Sequence, residues 1–266
     1  MRQILTSLLL LVIGSAPASL ASGAEKLVSP RLEASGFDGT VVLFDGETQV
    51  WHASDASWLD ATAIPASTFK VFSSLVALEL GLVGSLDQLM TLAEYRSSRE
   101  AINRPLRFDE AFRLSALPHY QQLVRVIGEQ RMQAALDATG YGNRSVGGGI
   151  DQFWITGDLR ISPREQLAFL QRLTQDDLPF RSEVMRDVRF IMRREEFDGG
   201  LRAKTGWATS AEGEHTGWSV GWLEREEQAP LYFAVLLQTR EPGETFLDIR
   251  LDLALQALAE YTGRQI

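Results

Sequence analysis

The stretch PASTFKVFSSLVALEL, residues 65–80, places one lysine, Lys70, within an otherwise apolar run. Apolar residues after Ser67 fall on nearly every side of a helix, so the pattern predicts a helix that is buried all round. Lysine is rarely fully buried unless another group pairs with it. The position of Lys70 therefore needs an explanation, and Ser67 lies three residues before it.

Ser67 and Lys70 share one face of the predicted helix, because positions i and i+3 are neighbours. A serine hydroxyl is a weak nucleophile until a base takes its proton. Burial among apolar side chains lowers the pKa of a lysine, because burial disfavours the charged form. The pattern therefore predicts a nucleophile with its base. In the alternative interpretation, Ser67 only caps the helix and Lys70 extends its amine to solvent.

Composition limits the classes of function. The chain has 266 residues, 45% of them hydrophobic, and a formal net charge of −9 with no basic run. Nucleic acids and anionic membrane surfaces are therefore unfavourable partners. The absence of cysteine excludes disulfides, thiolate metal sites and a cysteine nucleophile. Three widely spaced histidines do not favour a multi-histidine metal site, so we expect no metal.

The N-terminal residues have the pattern of a signal peptide over 1–21. Arg2 gives the positive start, an apolar run follows, and small residues allow cleavage after Ala21 or as late as Ala24. The apolar run is too short to span a bilayer comfortably. We expect an exported, periplasmic protein with no membrane anchor.

The remaining chain, 25–266, is predicted to be one mixed α/β domain. Alternating residues over 39–54 predict a hairpin, and the signals from about 65 to 175 are mostly helical. Ser162, Pro163 and Glu165 have the spacing of a capping box at a helix start. Strands are predicted over 201–209, 215–224 and 231–239, and a helix over 247–261. This order favours an antiparallel sheet flanked by helices, with a mostly helical inserted part and Ser67 near its boundary.

Lys204, Thr205 and Gly206 form a second motif inside a predicted strand. A lysine and a hydroxyl on an edge strand can bind a carboxylate that lies along it, and a glycine lets a substrate backbone approach closely. A Ser-x-x-Lys motif followed by Lys-Thr-Gly resembles the motif order of the penicillin-recognising serine enzymes.

The motifs between these two indicate one family within that group. Taken together, all the motifs resemble those of the class D, or oxacillinase-type, serine β-lactamases. The family pattern is P-x-S-T-x-K, S-x-V, Y-G-N, F-W, K-T-G and G-W-x-V-G-W. The matching segments here are 65–70, 115–117, 141–143, 153–154, 204–206 and 217–222. The resemblance covers nearly all of 25–266 and implies the penicillin-recognising fold, a β-lactam substrate and no cofactor other than carbon dioxide.

The resemblance also implies how Ser67 and Lys70 react. The serine matching Ser67 is acylated by the β-lactam carbonyl. The lysine matching Lys70 carries a carbamate made from carbon dioxide, which is the general base for acylation and deacylation. The tryptophan matching Trp154 donates its indole N–H to that carbamate.

Further roles follow from the same resemblance. Ser115 matches the serine that passes a proton to the lactam nitrogen. The backbone N–H groups of Ser67 and Trp207 match the oxyanion hole. Arg250 matches an arginine that binds the substrate carboxylate together with Lys204 and Thr205.

Other matching positions are architectural or depart from the pattern. Tyr141 and Asn143 match architectural positions. Leu117 stands where the family has valine, and its extra methylene is expected to affect entry of carbon dioxide or water.

A β-lactam-binding sensor that acylates once and a D,D-peptidase remain as alternative functions. A homodimer is possible, and the substrate range stays open.

Overall fold

The computed structural model describes residues 24–197 and 200–266. The predicted signal peptide, 1–21, lies outside the described residues. Within the described part of the chain, no helix is both long enough and apolar enough to cross a membrane.

One six-stranded sheet organises the molecule, in the order β1-β3-β2-β8-β7-β6. All neighbouring strands are antiparallel except the short β1, which pairs with β3 in parallel. The strands of this sheet are β1 (Glu25–Lys26), β2 (Asp38–Asp45), β3 (Val50–Ala53), β6 (Leu201–Thr209), β7 (His215–Arg225) and β8 (Gln228–Thr239). A separate two-stranded pair consists of β4 (Leu89–Met90) and β5 (Leu106–Arg107). The predicted hairpin and the three C-terminal strands are therefore confirmed.

Helices cover both faces of the sheet. Their bounds are α1 (Pro30–Ser35), α2 (Phe69–Glu79), α3 (Phe108–Arg113), α4 (Leu117–Ile127), α5 (Glu129–Thr139), α6 (Pro163–Thr174), α7 (Ser182–Ile191) and α8 (Phe246–Thr262). The predicted capping box begins α6, where the Ser162 side chain accepts from the Glu165 N–H and the Glu165 carboxylate accepts from the Ser162 N–H. Helix α7 was not predicted, and it lies beyond the predicted end of the helical part.

Period-two alternation along β2 assigns its side chains to two cores. Val42 and Phe44 point toward the core that contains α2 and α6. Val41 and Leu43 point to the opposite face, where α8 packs. Successive strand residues face opposite sides, so one strand can contribute to both cores. The sheet is thereby fixed between the helical part and the C-terminal helix.

Helix α2 is the central helix of the larger core. All its residues from Phe69 to Leu78 are buried. Its apolar residues are distributed around the whole circumference, so several neighbouring elements pack on it at once. The prediction of a helix buried all round is confirmed, although the α-helix begins only at Phe69.

Candidate active site

Ser67 lies in a tight 3₁₀ turn, Ala66–Thr68, that leads directly into α2. Ala66 has a left-handed backbone, with φ +52°. This conformation is uncommon for a residue with a side chain, and it persists only where neighbouring structure holds it. The indole of Trp218 donates to the Ile64 carbonyl at 2.8 Å, and Gln166 donates to the Thr68 hydroxyl at 2.8 Å. These bonds hold the turn from two sides.

Gly206 packs against the same turn. A Cβ added to Gly206 would lie 3.0 Å from the Pro65 carbonyl oxygen and 3.2 Å from the backbone nitrogens of Ser67 and Thr68. Almost any side chain would therefore displace the turn that carries Ser67. The glycine of the Lys-Thr-Gly motif is needed for contact between β6 and this turn, a reason that the sequence did not reveal.

Lys70 donates from Nζ to Ser67 Oγ at 2.8 Å. Its side chain is fully buried, and Nζ lies 5.2 Å from the centre of the Tyr120 ring. Burial, with a smaller contribution from Arg99, lowers the pKa of Lys70 from 10.5 to about 7. The alternative in which Lys70 reaches solvent is therefore wrong. The capping alternative is also wrong, because Thr68 is the N-cap of α2 and no side chain caps it.

Trp154 belongs to the aromatic cluster around α2. Its ring stacks on Phe69 with centroids 5.4 Å apart, and its side chain is fully buried. Its Nε1 donor has no hydrogen-bond partner among the described residues. A buried donor without an acceptor is unfavourable, so an acceptor at this position would be stabilised.

Ser115 and Lys204 bring the helical part and the sheet together. Lys204 Nζ donates to Ser115 Oγ at 3.0 Å and to the Thr205 carbonyl at 2.8 Å. Ser115 has a left-handed backbone, with φ +53°. Burial, and then the nearby Lys70, hold the pKa of Lys204 well below its usual value. Lys204 is thus a buried hydrogen-bond donor to Ser115. Its side chain is more enclosed than its place on an edge strand would suggest.

Arg250 extends from α8 toward the same strand. Its guanidinium donates to the Gly206 carbonyl at 2.5 Å and to the Leu247 carbonyl at 2.6 Å. Gly217 makes room for it, because a Cβ there would lie 2.8 Å from Arg250 Cδ. Arg250 is buried, unlike an ordinary charged residue on a surface helix.

Tyr141 packs against α2, whereas Asn143 holds the segment that follows Trp154. Tyr141 is buried against Phe72, with ring centroids 4.9 Å apart. Asn143 donates from its side chain to the Asp158 carbonyl at 2.8 Å and accepts from the Arg160 N–H at 3.0 Å. Both contacts are structural.

A cleft of about 820 Å³ opens over Ser67. The predicted residues that line it are Ser67, Ser115, Leu117, Thr205, Gly206, Trp207 and Arg250. Trp207 lies at its rim, where its exposed ring stacks on His215. Leu117 is the first residue of α4 and is partly buried. Lys70, Trp154 and Lys204 are enclosed and do not line the cleft.

Sequence reasoning missed three cationic residues that line this cleft, Arg99, Arg113 and Arg194. None belongs to a motif, and the order of the chain gives no sign that 99, 113 and 194 converge. Among the described residues, no group of His, Asp and Glu could hold a metal ion.

Comparison with known proteins identifies the family. Residues 39–250 match the penicillin binding protein transpeptidase domain. β-Lactamase OXA-48 of Klebsiella pneumoniae is 36% identical over 190 residues, which are 71% of this chain and 71% of that protein. The solved class D β-lactamase YbXI from Nostoc has a TM-score of 0.80 and 34% identity, covering 86% of this chain and 96% of that chain. The chain belongs to the class D serine β-lactamases.

Membership of the class D serine β-lactamases confirms both the recognised family and the mixed α/β fold. The transpeptidase match spans every motif from Pro65 to Arg250. The chain is also 30% identical over 218 residues to regulatory protein BlaR1 of Bacillus licheniformis, covering 81% of this chain and 36% of that protein.

Proposed function

We propose that this class D family member hydrolyses β-lactam antibiotics through an ester on Ser67. The 2.8 Å contact between Ser67 Oγ and the buried Lys70 Nζ carries the proposal. With its pKa lowered to about 7, Lys70 is substantially neutral near neutral pH, which is the form that can react with carbon dioxide to give the base that accepts the hydroxyl proton. Ser67 Oγ then attacks the lactam carbonyl carbon, the carbon–nitrogen bond breaks, and water later hydrolyses the ester.

Lys70 is proposed to react with carbon dioxide. The carbamate would supply an anionic oxygen as the general base for both steps. Two observations support the fit: the Lys70 amine has a lowered pKa, and the buried Trp154 Nε1 donor has no acceptor among the described residues. Trp154 would donate to the modified side chain, and the aromatic cluster around Phe69 would exclude water from it.

Ser115 is proposed to pass a proton to the lactam nitrogen. Ser115 Oγ lines the cleft and accepts a hydrogen bond from Lys204 Nζ at 3.0 Å. A hydroxyl that accepts from one side can still donate its own proton to a leaving nitrogen. The contact with Lys204 would keep the hydroxyl oriented for that transfer.

Substrate binding is proposed to use the strand β6 and Arg250. The backbone N–H groups of Ser67 and Trp207 would stabilise the oxyanion. Lys204, Thr205 and Arg250 would bind the carboxylate of the β-lactam. An incoming carboxylate favours the charged form of Lys204, which opposes the effect of burial on its pKa.

The assignment of the nucleophile is tested by mass spectrometry of the protein after incubation with benzylpenicillin. Wild-type protein should carry a penicilloyl adduct that decays, and Ser67→Ala should carry none while remaining folded. A penicilloyl adduct on Ser67→Ala would remove Ser67 from its proposed role.

A sensor that acylates once is the second candidate, and the 30% identity to BlaR1, a regulatory protein, favours a regulatory role over peptidase activity. A D,D-peptidase is the remaining alternative. Steady-state turnover of a chromogenic cephalosporin distinguishes the candidates. Many turnovers per Ser67 indicate a hydrolase, whereas one stoichiometric burst without further turnover indicates a sensor.

The modification of Lys70 is tested with isotopically labelled bicarbonate. Enzyme exposed to acid and degassed should regain both an NMR signal for the bound carbon and its activity as bicarbonate is added at neutral pH. Trp154→Phe keeps an aromatic ring but removes the donor, so it should need more bicarbonate and accumulate acyl-enzyme. Full activity of degassed protein with no bound label would show that Lys70 acts as an unmodified amine.

We also propose export to the periplasm, on the basis of the pattern over 1–21. Cell fractionation and N-terminal sequencing of the mature protein test this. Recovery in the cytoplasm with Met1 or Arg2 still present would contradict it. The possible homodimer stays a prediction, which light scattering can test.

A further inference from the structure

Arg99 differs from the other arginines that line the cleft. Arg113 pairs with Asp109 at 3.5 Å, and Arg194 pairs with Glu196 at 2.5 Å. Arg99 forms no ion pair with a carboxylate of the described residues, and its guanidinium donates to the Leu114 carbonyl at 2.9 Å. Its side chain is exposed, so most of its donor groups face the cleft and solvent.

The loop that carries Arg99 is internally braced. Asn103 accepts from the Ser97 N–H at 2.8 Å and donates to the Ser97 carbonyl at 2.6 Å. The Arg99 N–H donates to the Ser97 hydroxyl at 3.1 Å. The bond to Leu114, which precedes Ser115, then fixes the guanidinium beside the reactive centre. A positioned guanidinium loses less entropy when it binds an anion than a free surface arginine does.

Arg99 and Arg250 lie on different walls of one cleft. Arg250 belongs to the wall formed by α8 and β6, whereas Arg99 belongs to the wall that carries Ser115. The carboxylates that line the cleft, Asp248 and Asp252, are both on α8, and Asp252 pairs with Arg31. The wall with Arg99 is therefore cationic, although the protein as a whole carries a net negative charge.

We propose that Arg99 binds a second anionic group of doubly negative β-lactams, in addition to the carboxylate that all of them share. This inference rests on the proposed β-lactam hydrolysis. Arg99 would form charge-assisted hydrogen bonds with the second carboxylate, and a planar guanidinium suits that geometry. Arg99 is thereby a specificity-determining residue for substrate charge, without a role in bond breaking.

Benzylpenicillin and carbenicillin provide a matched pair of substrates, because a side-chain hydrogen of the first is a carboxylate in the second. The quantity to measure is the kcat/KM of carbenicillin divided by that of benzylpenicillin. Arg99→Gln should lower this ratio about tenfold, the effect of losing one charge-assisted contact. Arg99→Lys keeps the charge and should retain most of the ratio. High salt should lower the wild-type ratio, because an exposed charge is screened.

Arg96→Gln is the matched control. Arg96 is on the same loop, pairs with Glu94, and does not line the cleft. The kcat/KM ratio of carbenicillin to benzylpenicillin in Arg96→Gln should stay within about twofold of the wild-type ratio, as expected for an exposed ion pair. An Arg99→Gln ratio as close to wild type as that of Arg96→Gln would overturn the inference.

Binding to Ser67→Ala separates this inference from the proposed function. The dissociation constants of the two penicillins, measured in the Ser67→Ala and Ser67→Ala/Arg99→Gln proteins, do not depend on turnover. If benzylpenicillin is not hydrolysed by wild type but Arg99 still favours carbenicillin in binding, the proposed function fails and the inference stands. If benzylpenicillin is hydrolysed and the ratio of the two dissociation constants is the same with and without Arg99→Gln, the inference alone fails.

Discussion

Lys70 is a buried amine whose burial opposes folding and supports reactivity. The unfolded chain hydrates the charged amine, whereas the folded protein surrounds it with apolar side chains. The resulting decrease in pKa, from 10.5 to about 7, corresponds to at most about 5 kcal/mol of stability. Reactive sites are where such unfavourable burial is expected.

The pH dependence of stability tests the burial of Lys70. Below pH 7 both the folded and unfolded states hold the proton, and the penalty for burial is complete. Between about pH 7 and 10.5 the unfolded state holds the proton that the folded state has released, so the free energy of unfolding should rise with pH. Lys70→Met should be more stable than wild type at pH 7 and should show a smaller rise.

Urea unfolding in degassed buffer at several pH values between 7 and 10 measures this difference. Lys26→Met, which removes an exposed lysine, is the control for loss of a lysine charge. Equal pH slopes for wild type and Lys70→Met would contradict the burial of a titrating amine. Lys204 has a pKa shifted in the same direction, so Lys70→Met is expected to remove only part of the slope.

At the scale of elements, the contact between β6 and the 3₁₀ turn Ala66–Thr68 determines where Ser67 lies. Gly206 permits the close approach, and Trp218 on the adjacent strand β7 bonds to Ile64 before the turn. The left-handed φ at Ala66 is stabilised by these neighbours rather than by its own preference. Two motifs that are far apart in the chain therefore build one structural unit.

Gly206→Ala should weaken the contact between β6 and the turn that carries Ser67 without unfolding the protein. The new Cβ would push the backbone of Pro65 and Ser67 by a few tenths of an ångström, so kcat/KM should fall, by less than the roughly hundredfold loss that a 1 Å misplacement can cause. Overpacking should lower the free energy of unfolding by only about 1–3 kcal/mol. Steady-state kinetics and urea unfolding measure the two effects.

Gly84→Ala is the control for this substitution, because a Cβ there meets only the Gln88 side chain at 3.5 Å. Its kcat/KM should match wild type. If Gly206→Ala were equally active, the contact between β6 and the turn would not set the position of Ser67.

At the scale of the whole molecule, Asp45 ties three distant segments together. It accepts from Arg225 on β7 at 2.7 Å and from the Tyr261 hydroxyl on α8 at 2.9 Å. Burial alone would raise the pKa of Asp45, but the Arg225 guanidinium and the N–H groups of the turn hold it far below its usual range. The hairpin turn predicted from the sequence therefore also connects the N-terminal strands to β7 and α8 near the C-terminus.

Asp45→Asn should lower the free energy of unfolding by about 3 kcal/mol, because it leaves Arg225 buried without its counterion. A carboxyl with a depressed pKa stabilises the fold above its unfolded pKa, and this contribution is lost as pH falls. The difference between wild type and Asp45→Asn should therefore shrink in acid. Hydrolysis of β-lactams should persist, since none of the three residues lines the cleft.

Asp60→Asn is the matched control, because Asp60 forms an Asp–Arg pair with Arg164 in which the carboxylate is mostly exposed. This change should lower stability by less than about 1 kcal/mol. A loss in Asp45→Asn no larger than that in Asp60→Asn would show that the buried pair does not hold the segments together.

Some parts of the fold were predictable because their signals are local. The capping box of α6, the hairpin and the three C-terminal strands depend on residues close together in the chain. Helix α7 also has a local signal, since Val184, Val188 and Ile191 recur at helical spacing and are buried, but sequence reasoning overlooked it. The short strand β1 has too few residues to show a pattern.

By itself, the sequence determined the pairing of Ser67 with Lys70, because a spacing of three residues brings two side chains onto one face both in a 3₁₀ turn and in the α-helix that continues it. Only the tertiary structure decided that Lys204 reaches Ser115, 89 residues away, and that Arg99 lines the same cleft. Such contacts depend on how the sheet and the helical part pack. Packing is a collective property of both cores, so no single stretch of the chain encodes these contacts.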